Sequence, residues 1–307
     1  MAELDLTLAT GPVSWGVDFA DTPGNPPWQL FLDEVAAAGM SALELGPVGY
    51  MPEDHETIRD ALALRDLTAV GTFVFDDLHD PERREELRAT TERTVAAIDA
   101  AGGELLVLID RPSAERVATV GRESLAPRMG RARWDQMVEL IDELAAIAAD
   151  AGMRTVFHPH VGGWVEFEDE VERFLSSSEV DLCLDLGHAT FAGIGLDRAI
   201  DDWGQRIGHV HLKDVDPVVL AQVRAQGLDF WQAIEADVFC PLGDGMVDLS
   251  DAATRLAAVS YRGFATIEQD RMPGSGQPVE DLRRSVAALS RAGFPISKGQ
   301  QAREVSE

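Results

Sequence analysis

The chain has 307 residues, 45% of them hydrophobic and 26% charged, which supplies one large core or two small ones and excludes wholesale disorder. Lys plus Arg number 26 against 54 Asp plus Glu, a formal charge of −28, and a surface of that sign repels phosphate backbones and anionic lipid. The two cysteines, Cys183 and Cys240, make no disulfide framework, no apolar run reaches about 18 residues and no targeting segment opens the chain, so a soluble cytoplasmic protein without nucleic-acid or membrane partners is expected.

Extended apolar stretches alternate with helix-period stretches throughout. The first strand is expected over Leu6–Val13, followed by a helix from Trp28 to Ala38 that stops at Gly39. Strands follow at Ala42–Leu45 and Thr68–Phe75, then a long charged helix from Pro81 to Ala101 that ends at Gly102. The fourth strand is Leu105–Ile109, and a helix runs from Trp134 to Ala151 before Gly152. Strands at Thr155–His158, Leu182–Asp185, Ile207–Leu212 and Ala265–Glu268 complete a set of eight, interleaved with helices at Phe167–Leu175, Asp197–Trp203 and Val279–Ala292. Strict βα alternation implies parallel strands with helical crossovers, and eight units in this length fit a single (β/α)8 TIM barrel spanning residues 1–296. A doubly wound open sheet would carry a glycine-rich phosphate turn after the first strand, and Thr10-Gly11-Pro12-Val13-Ser14-Trp15-Gly16 is no such turn. Two stretches, Arg111–Arg133 and Asp214–Asp248, read as irregular, and residues 297–307 read as a flexible tail.

The chemistry collects at strand ends. Five of the seven histidines lie there: His158 and His160 after strand five, His188 after strand six, His209 and His211 on strand seven. Residues two apart on a strand share a face, so each pair aims one way. Asp185 ends strand six and Glu268 ends strand eight. Imidazoles and carboxylates converging on one barrel mouth make a mixed nitrogen and oxygen donor set for a divalent ion such as manganese, cobalt, magnesium or zinc. Lys213, one of only two lysines, lies two residues beyond His211 and should face the same mouth. Glu44, at the end of strand two, is either a mouth-facing group or a paired structural carboxylate. Glu166 either binds substrate hydroxyls or caps the next helix. Trp15 and Phe73 are candidates for an apolar wall of the mouth.

The segments Phe157-His158-Pro159-His160, Asp185-Leu186-Gly187-His188 and Gly208-His209-Val210-His211-Leu212-Lys213-Asp214-Val215 resemble the xylose-isomerase-like barrel superfamily. Together with Gly11 to Gly16, Glu44 to Pro52, Leu78-His79-Asp80-Pro81 and Gly243-Asp244-Gly245, they are most similar to the inosose dehydratase branch of its sugar phosphate isomerase/epimerase group. The resemblance implies a divalent ion held by His158, Asp185, His211 and Glu268. It leaves either His158 or His160 as the strand-five ligand. In the isomerases and epimerases of the superfamily that ligand is a glutamate, and two opposed glutamates can shuttle a proton between neighbouring carbons. A histidine there leans toward elimination.

The expected activity is therefore a metal-dependent lyase that dehydrates a keto-polyol such as 2-keto-myo-inositol through an enediolate. Glu268 or a strand-end histidine would serve as base, His188 or His160 as acid, and Lys213 would hold a substrate oxygen or act as an electrophile. The alternatives are a sugar isomerase or epimerase, and eliminative cleavage of a 3-keto-glycoside. A small keto-sugar or keto-inositol is the expected partner, and a homo-oligomer or hetero-oligomer would suit barrels of this kind.

Overall fold

The computed structural model describes residues 4–296, and the tail expected at 297–307 lies outside them. Eight parallel strands close into a barrel in the order β1-β10-β7-β6-β5-β4-β3-β2, so the expected (β/α)8 architecture is the observed one. The barrel strands are β1 (Asp5–Thr10), β2 (Ala42–Glu44), β3 (Thr68–Asp76), β4 (Leu105–Asp110), β5 (Arg154–His158), β6 (Asp181–Asp185), β7 (Ile207–Leu212) and β10 (Arg262–Ile267). A short antiparallel ribbon, β8 (Asp214–Val215) with β9 (Phe239–Cys240), stands outside the barrel. Helices α1 (Trp28–Ala37), α2 (His55–Ala63), α3 (Arg84–Ala101), α4 (Arg131–Asp150), α5 (Glu168–Ser177), α6 (Leu186–Ala192), α7 (Pro217–Gln226), α8 (Phe230–Glu235), α9 (Leu249–Ala258) and α10 (Pro278–Ala292) occupy the connections. Among the described residues no helix is long and apolar enough to cross a membrane.

The apolar side chains divide as a closed barrel requires. Ala9, Ala42, Val70, Val107, Val156 and Cys183 belong to a small interior cluster, while the large cluster fills the shell between strands and helices. A third cluster, including Val161, Val215, Phe230 and Phe239, sits over the C-terminal ends of the strands.

Several elements differ from expectation, three of them near the site. The first strand stops at Thr10, because Gly11 is followed by Pro12, which opens a tight 3-10 turn at Pro12–Trp15. The stretch Asp214–Asp248 is not irregular: it holds α7, capped by Asp216, and α8, where Asp229 and Gln232 cap each other reciprocally. Both helices are short, so neither shows a long apolar period. Of the stretch Arg111–Arg133, residues 111–130 do run as loop with two 3-10 turns, and α4 begins at Arg131 rather than Trp134.

The excursion over the mouth is fastened at its root by Asp214. Its carboxylate accepts N–H bonds from Val215 (2.8 Å), Gly243 (2.9 Å), Gly245 (3.1 Å) and Val247 (2.9 Å). The strand register then sets the level of the site. Asp185 pairs with His211 across β6 and β7, and His211 pairs with Thr266 across β7 and β10.

Gly71 permits the close approach of β3 to β4, since a β-carbon there would lie 1.9 Å from the Leu105 carbonyl oxygen. Gly71→Ala should therefore lower stability by about 1–3 kcal/mol, the usual scale for overpacking. Urea unfolding read by circular dichroism checks this, and a variant as stable as the parent would refute the steric reading.

Candidate active site

Side chains two apart on β7 and after β10 point inward, and Asp185 and His158 reach the same level from β6 and β5. All of these groups are buried. Their hydrogen bonds fix which atoms carry protons. His158 donates Nδ1–H to the Pro159 carbonyl at 2.7 Å, which leaves the Nε2 lone pair 3.5 Å from Asp185 Oδ2. His211 donates Nε2–H to Glu44 Oε1 at 3.1 Å, which leaves Nδ1 3.0 Å from Glu268 Oε2 and 3.7 Å from Asp185 Oδ2. Asp185 spends Oδ1 on the backbone N–H of His188 (2.8 Å), where it caps α6.

The result is two imidazole nitrogens and two carboxylates brought close together in a buried space. Asp185 Oδ2 and His211 Nδ1 are buried and make no hydrogen bond. Such an arrangement is unfavourable unless a cation offsets it. Two imidazole nitrogens and two carboxylates fit a divalent ion, and His158, Asp185 and His211 bring their donor atoms within 4.8 Å of one another.

Lys213 supplies the positive charge that the chain itself brings. Its Nζ lies 3.0 Å from Asp185 Oδ2, 3.2 Å from Glu268 Oε2 and 2.7 Å from Asp270 Oδ1. Burial disfavours the charged amine, but these three carboxylates outweigh it and raise its pKa well above the ordinary lysine value. The lysine stem passes over Gly187, where a β-carbon would come within 2.6 Å of Lys213 Cγ, so only glycine fits there.

Above this floor lie His160 and His188, their ring centroids 4.1 Å apart. Burial depresses the pKa of both below the ordinary histidine value. The cavity they share is also lined by Asp18, Phe73, Phe75, His158, His211, Lys213, Phe230, Trp231, Glu268 and Asp270. One side is thus ionic and imidazole-rich and the other aromatic, a shape suited to a small ligand with one polar and one apolar face.

The candidate residues from the sequence fall into two groups. His158, His160, Asp185, His188, His211, Lys213 and Glu268 come together, and Phe73 lines the cavity as an apolar wall would. Three others stand apart. Glu44 does not line the cavity; it lies beneath, where its Oε1 accepts from His209 (3.0 Å), His211 (3.1 Å) and Thr266 (2.6 Å). It is the paired structural carboxylate of the two expected readings. Glu166 is enclosed in a separate ion network, 3.4 Å from Arg116 and holding the N–H groups of Gly121 and Gly162. Trp15 is packed edge-on against Phe31 and donates its indole N–H to Glu34, because the 3-10 turn after β1 swings it out of the barrel.

Sequence reasoning missed Asp18, Asp270, Phe75 and Phe230 as cavity groups. Asp270 was open to discovery, since it continues the two-residue rhythm of Thr266 and Glu268. Asp18 gave no signal, because a loop rather than a strand carries it. Burial and the nearby Asp270 push its pKa up to about 7.

His79 serves the loops rather than the cavity. Its Nδ1 lies 2.6 Å from Asp110 Oδ1, and Asp110 Oδ2 also accepts the backbone N–H of Trp164 at 2.9 Å. Burial opposes a charge on His79, yet the Asp110 carboxylate outweighs it and raises the pKa. A raised folded-state pKa gives stability that is complete below the unfolded histidine value of about 6.5 and is lost as pH climbs through the folded value. Urea unfolding across this range should show that loss in the parent and a flatter profile in His79→Gln; identical profiles would remove the pair from the account.

A family model described as Xylose isomerase-like TIM barrel matches residues 32–292. Inosose dehydratase of Geobacillus thermodenitrificans is 27% identical over 282 residues, covering 91% of this chain and 94% of its own. Rhizopine catabolism protein MocC of Rhizobium meliloti is 29% identical over 304 residues, covering 96% of this chain and 92% of its own. The crystal structure of IOLI protein with a binding zinc atom has the same fold, with a TM-score of 0.68 at 14% identity over 94% of this chain and 98% of that one.

Proposed function

Since the chain belongs to the xylose isomerase-like TIM barrel family, we propose that it is a metal-dependent dehydratase that removes water from a keto-polyol, with 2-keto-myo-inositol as the candidate substrate. The observation that carries the reading is the gathering of donor atoms from His158, Asp185 and His211 within 4.8 Å of one another, with Glu268 Oε2 3.0 Å from His211 Nδ1. The likeness to inosose dehydratases over nine-tenths of the chain supports the substrate class. His158, Asp185, His211 and Glu268 would hold the ion. When bound, a divalent ion supplies a Lewis acid that draws charge from a carbonyl oxygen and its neighbouring hydroxyl.

The chain's own groups then divide the work. Glu268 lines the cavity and takes the proton from the carbon beside the carbonyl. Lys213 lies 3.2 Å from that carboxylate and offers an ammonium to oxygen atoms that gain negative charge. His188 turns a ring nitrogen, 3.3 Å from Asp270, toward the departing hydroxyl. The proton collected by Glu268 is the one the hydroxyl needs to leave as water, so the elimination balances without an outside acid or oxidant. Phe73, Phe75, Phe230 and Trp231 cover the apolar face of the ring and exclude bulk water. A histidine rather than a glutamate on β5 removes the strand-five carboxylate that a 1,2-proton shuttle opposite Glu268 would use, and this favours elimination over isomerisation or epimerisation.

Metal-loaded protein given 2-keto-myo-inositol should yield a product lighter by one water in mass spectrometry, and a chelator should abolish the turnover. A product of unchanged mass would assign an isomerase or epimerase instead. Full activity after complete chelation would sink the metal scheme. Asp185→Asn should lose the bound ion and most of the rate. Glu44→Ala frees the ring of His211 and should weaken metal binding by about 10–100-fold, as removal of a carboxylate behind a ligand histidine commonly does. Metal content after gel filtration reads both variants.

A further inference from the structure

After the last barrel strand the chain divides its side chains between two tasks. Glu268 and Asp270 line the cavity, while Gln269 and Arg271 stand outside that lining and pair with each other. Arg271 Nη2 donates to Gln269 Oε1 at 2.6 Å. Arginine only donates and a carbonyl only accepts, so this bond fixes which way round the Gln269 amide sits. Its Nε2 then donates to the main-chain carbonyl of Phe239, on β9, at 3.1 Å. Arg271 is itself buried, and its Nη2 also donates to Asp281 Oδ2 of α10 at 3.0 Å. Gly276 closes over the guanidinium, where a β-carbon would strike Nη1. A chain of polar contacts thus runs from α10, through the end of β10, to the ribbon in the roof.

We propose that Gln269 is a positioning residue, which by holding the Phe239 carbonyl keeps the Phe239 ring against the ammonium of Lys213. The ring centroid lies 5.2 Å from Lys213 Nζ, and Phe239 is fully buried. An aromatic face at that distance attracts the ammonium and keeps water from it. The β8–β9 ribbon cannot place the ring by itself. It pairs only Asp214 with Cys240 and Val215 with Phe239, and a two-stranded ribbon so short is marginal without other support. Asp214 fastens the ribbon at the root of the excursion, and Gln269 fastens it to the strand end that carries Glu268 and Asp270. Those two carboxylates lie 3.2 and 2.7 Å from Lys213 Nζ, so residues 268–270 supply both the anions that meet the ammonium and the tie that sets the ring beside it. The placement of the ring is independent of what the cavity binds. Its consequence for rate rests on the dehydratase reading, in which Lys213 meets oxygen atoms that gain negative charge.

The test uses Gln269→Leu, which loses both bonds, and Gln269→Glu, which keeps an acceptor for Arg271 and loses the donor to Phe239. Gln269→Glu should unfold in urea near the parent, so an effect seen there is not loss of fold. The chain has only two lysines, Lys213 and Lys298, so NMR of the full zinc-loaded chain with carbon-13 lysine, assigned with Lys298→Arg, isolates the Lys213 methylene beside Nζ. The Phe239 ring should displace that signal in the parent, and Phe239→Leu gives its position without the ring. In both Gln269 variants the signal should move toward the Phe239→Leu position, and a signal unmoved in both overturns the proposal. With 2-keto-myo-inositol, kcat should fall about tenfold in both variants, the scale of one lost hydrogen bond, while KM stays within about twofold. A full kcat in both, or a loss confined to Gln269→Leu, overturns the positioning role even where the signal has moved. Because the lysine signal is read without substrate, failure of the dehydration assay and failure of this tie are separate results.

Discussion

The site depends on protons being directed outward. His158 gives Nδ1–H to a backbone carbonyl and His211 gives Nε2–H to Glu44, so each ring presents its other nitrogen toward Asp185 and Glu268. Acceptors facing acceptors in a buried space cannot satisfy one another, and the cost falls only when positive charge is placed among them. Lys213 brings one such charge, and the donor set has room in its chemistry for a second, divalent one. The neutral histidines, the carboxylate beneath them and the glycine under the lysine stem all follow from that single electrostatic demand.

Glu44 shows how the barrel enforces it. One carboxylate oxygen collects donors from β7 and β10, so three strands agree on the tautomer of His211 before any ligand arrives. The interior below is filled by small and branched apolar residues, which keep water from supplying the missing hydrogen bonds. The rigidity of the barrel and the exclusion of solvent thus act on the same few atoms.

Much of this was legible in the sequence. Parallel strands buried on both faces read as continuous apolar runs, and the βα alternation left one architecture standing. The β5, β6, β7 and β10 ends showed their histidines and carboxylates because strand geometry converts a spacing of two residues into a shared direction. What stayed hidden depended on loops or on level. Asp18 and Phe230 are delivered by segments whose path no periodicity dictates. Glu44 was visible as a strand-end carboxylate, but the register shift between Leu43 and Glu44 that sets its depth is a property of strand pairing. Trp15 was misplaced for a related reason: a strand pattern runs on through Gly11 and Pro12, while the backbone does not. Glu166 looked like a rim group because it follows strand five, and only the buried Arg116 explains why it turns away.

Asp214 has an architectural consequence of its own. Four amide hydrogens on one side chain gather both ends of the segment that carries α7 and α8, so that segment is fastened to the barrel at its root. The catalytic floor belongs to the strands and the roof belongs to this cassette. Roof and floor are free to diverge separately, and a lineage can reshape the ring it admits while leaving the ion-binding chemistry beneath untouched.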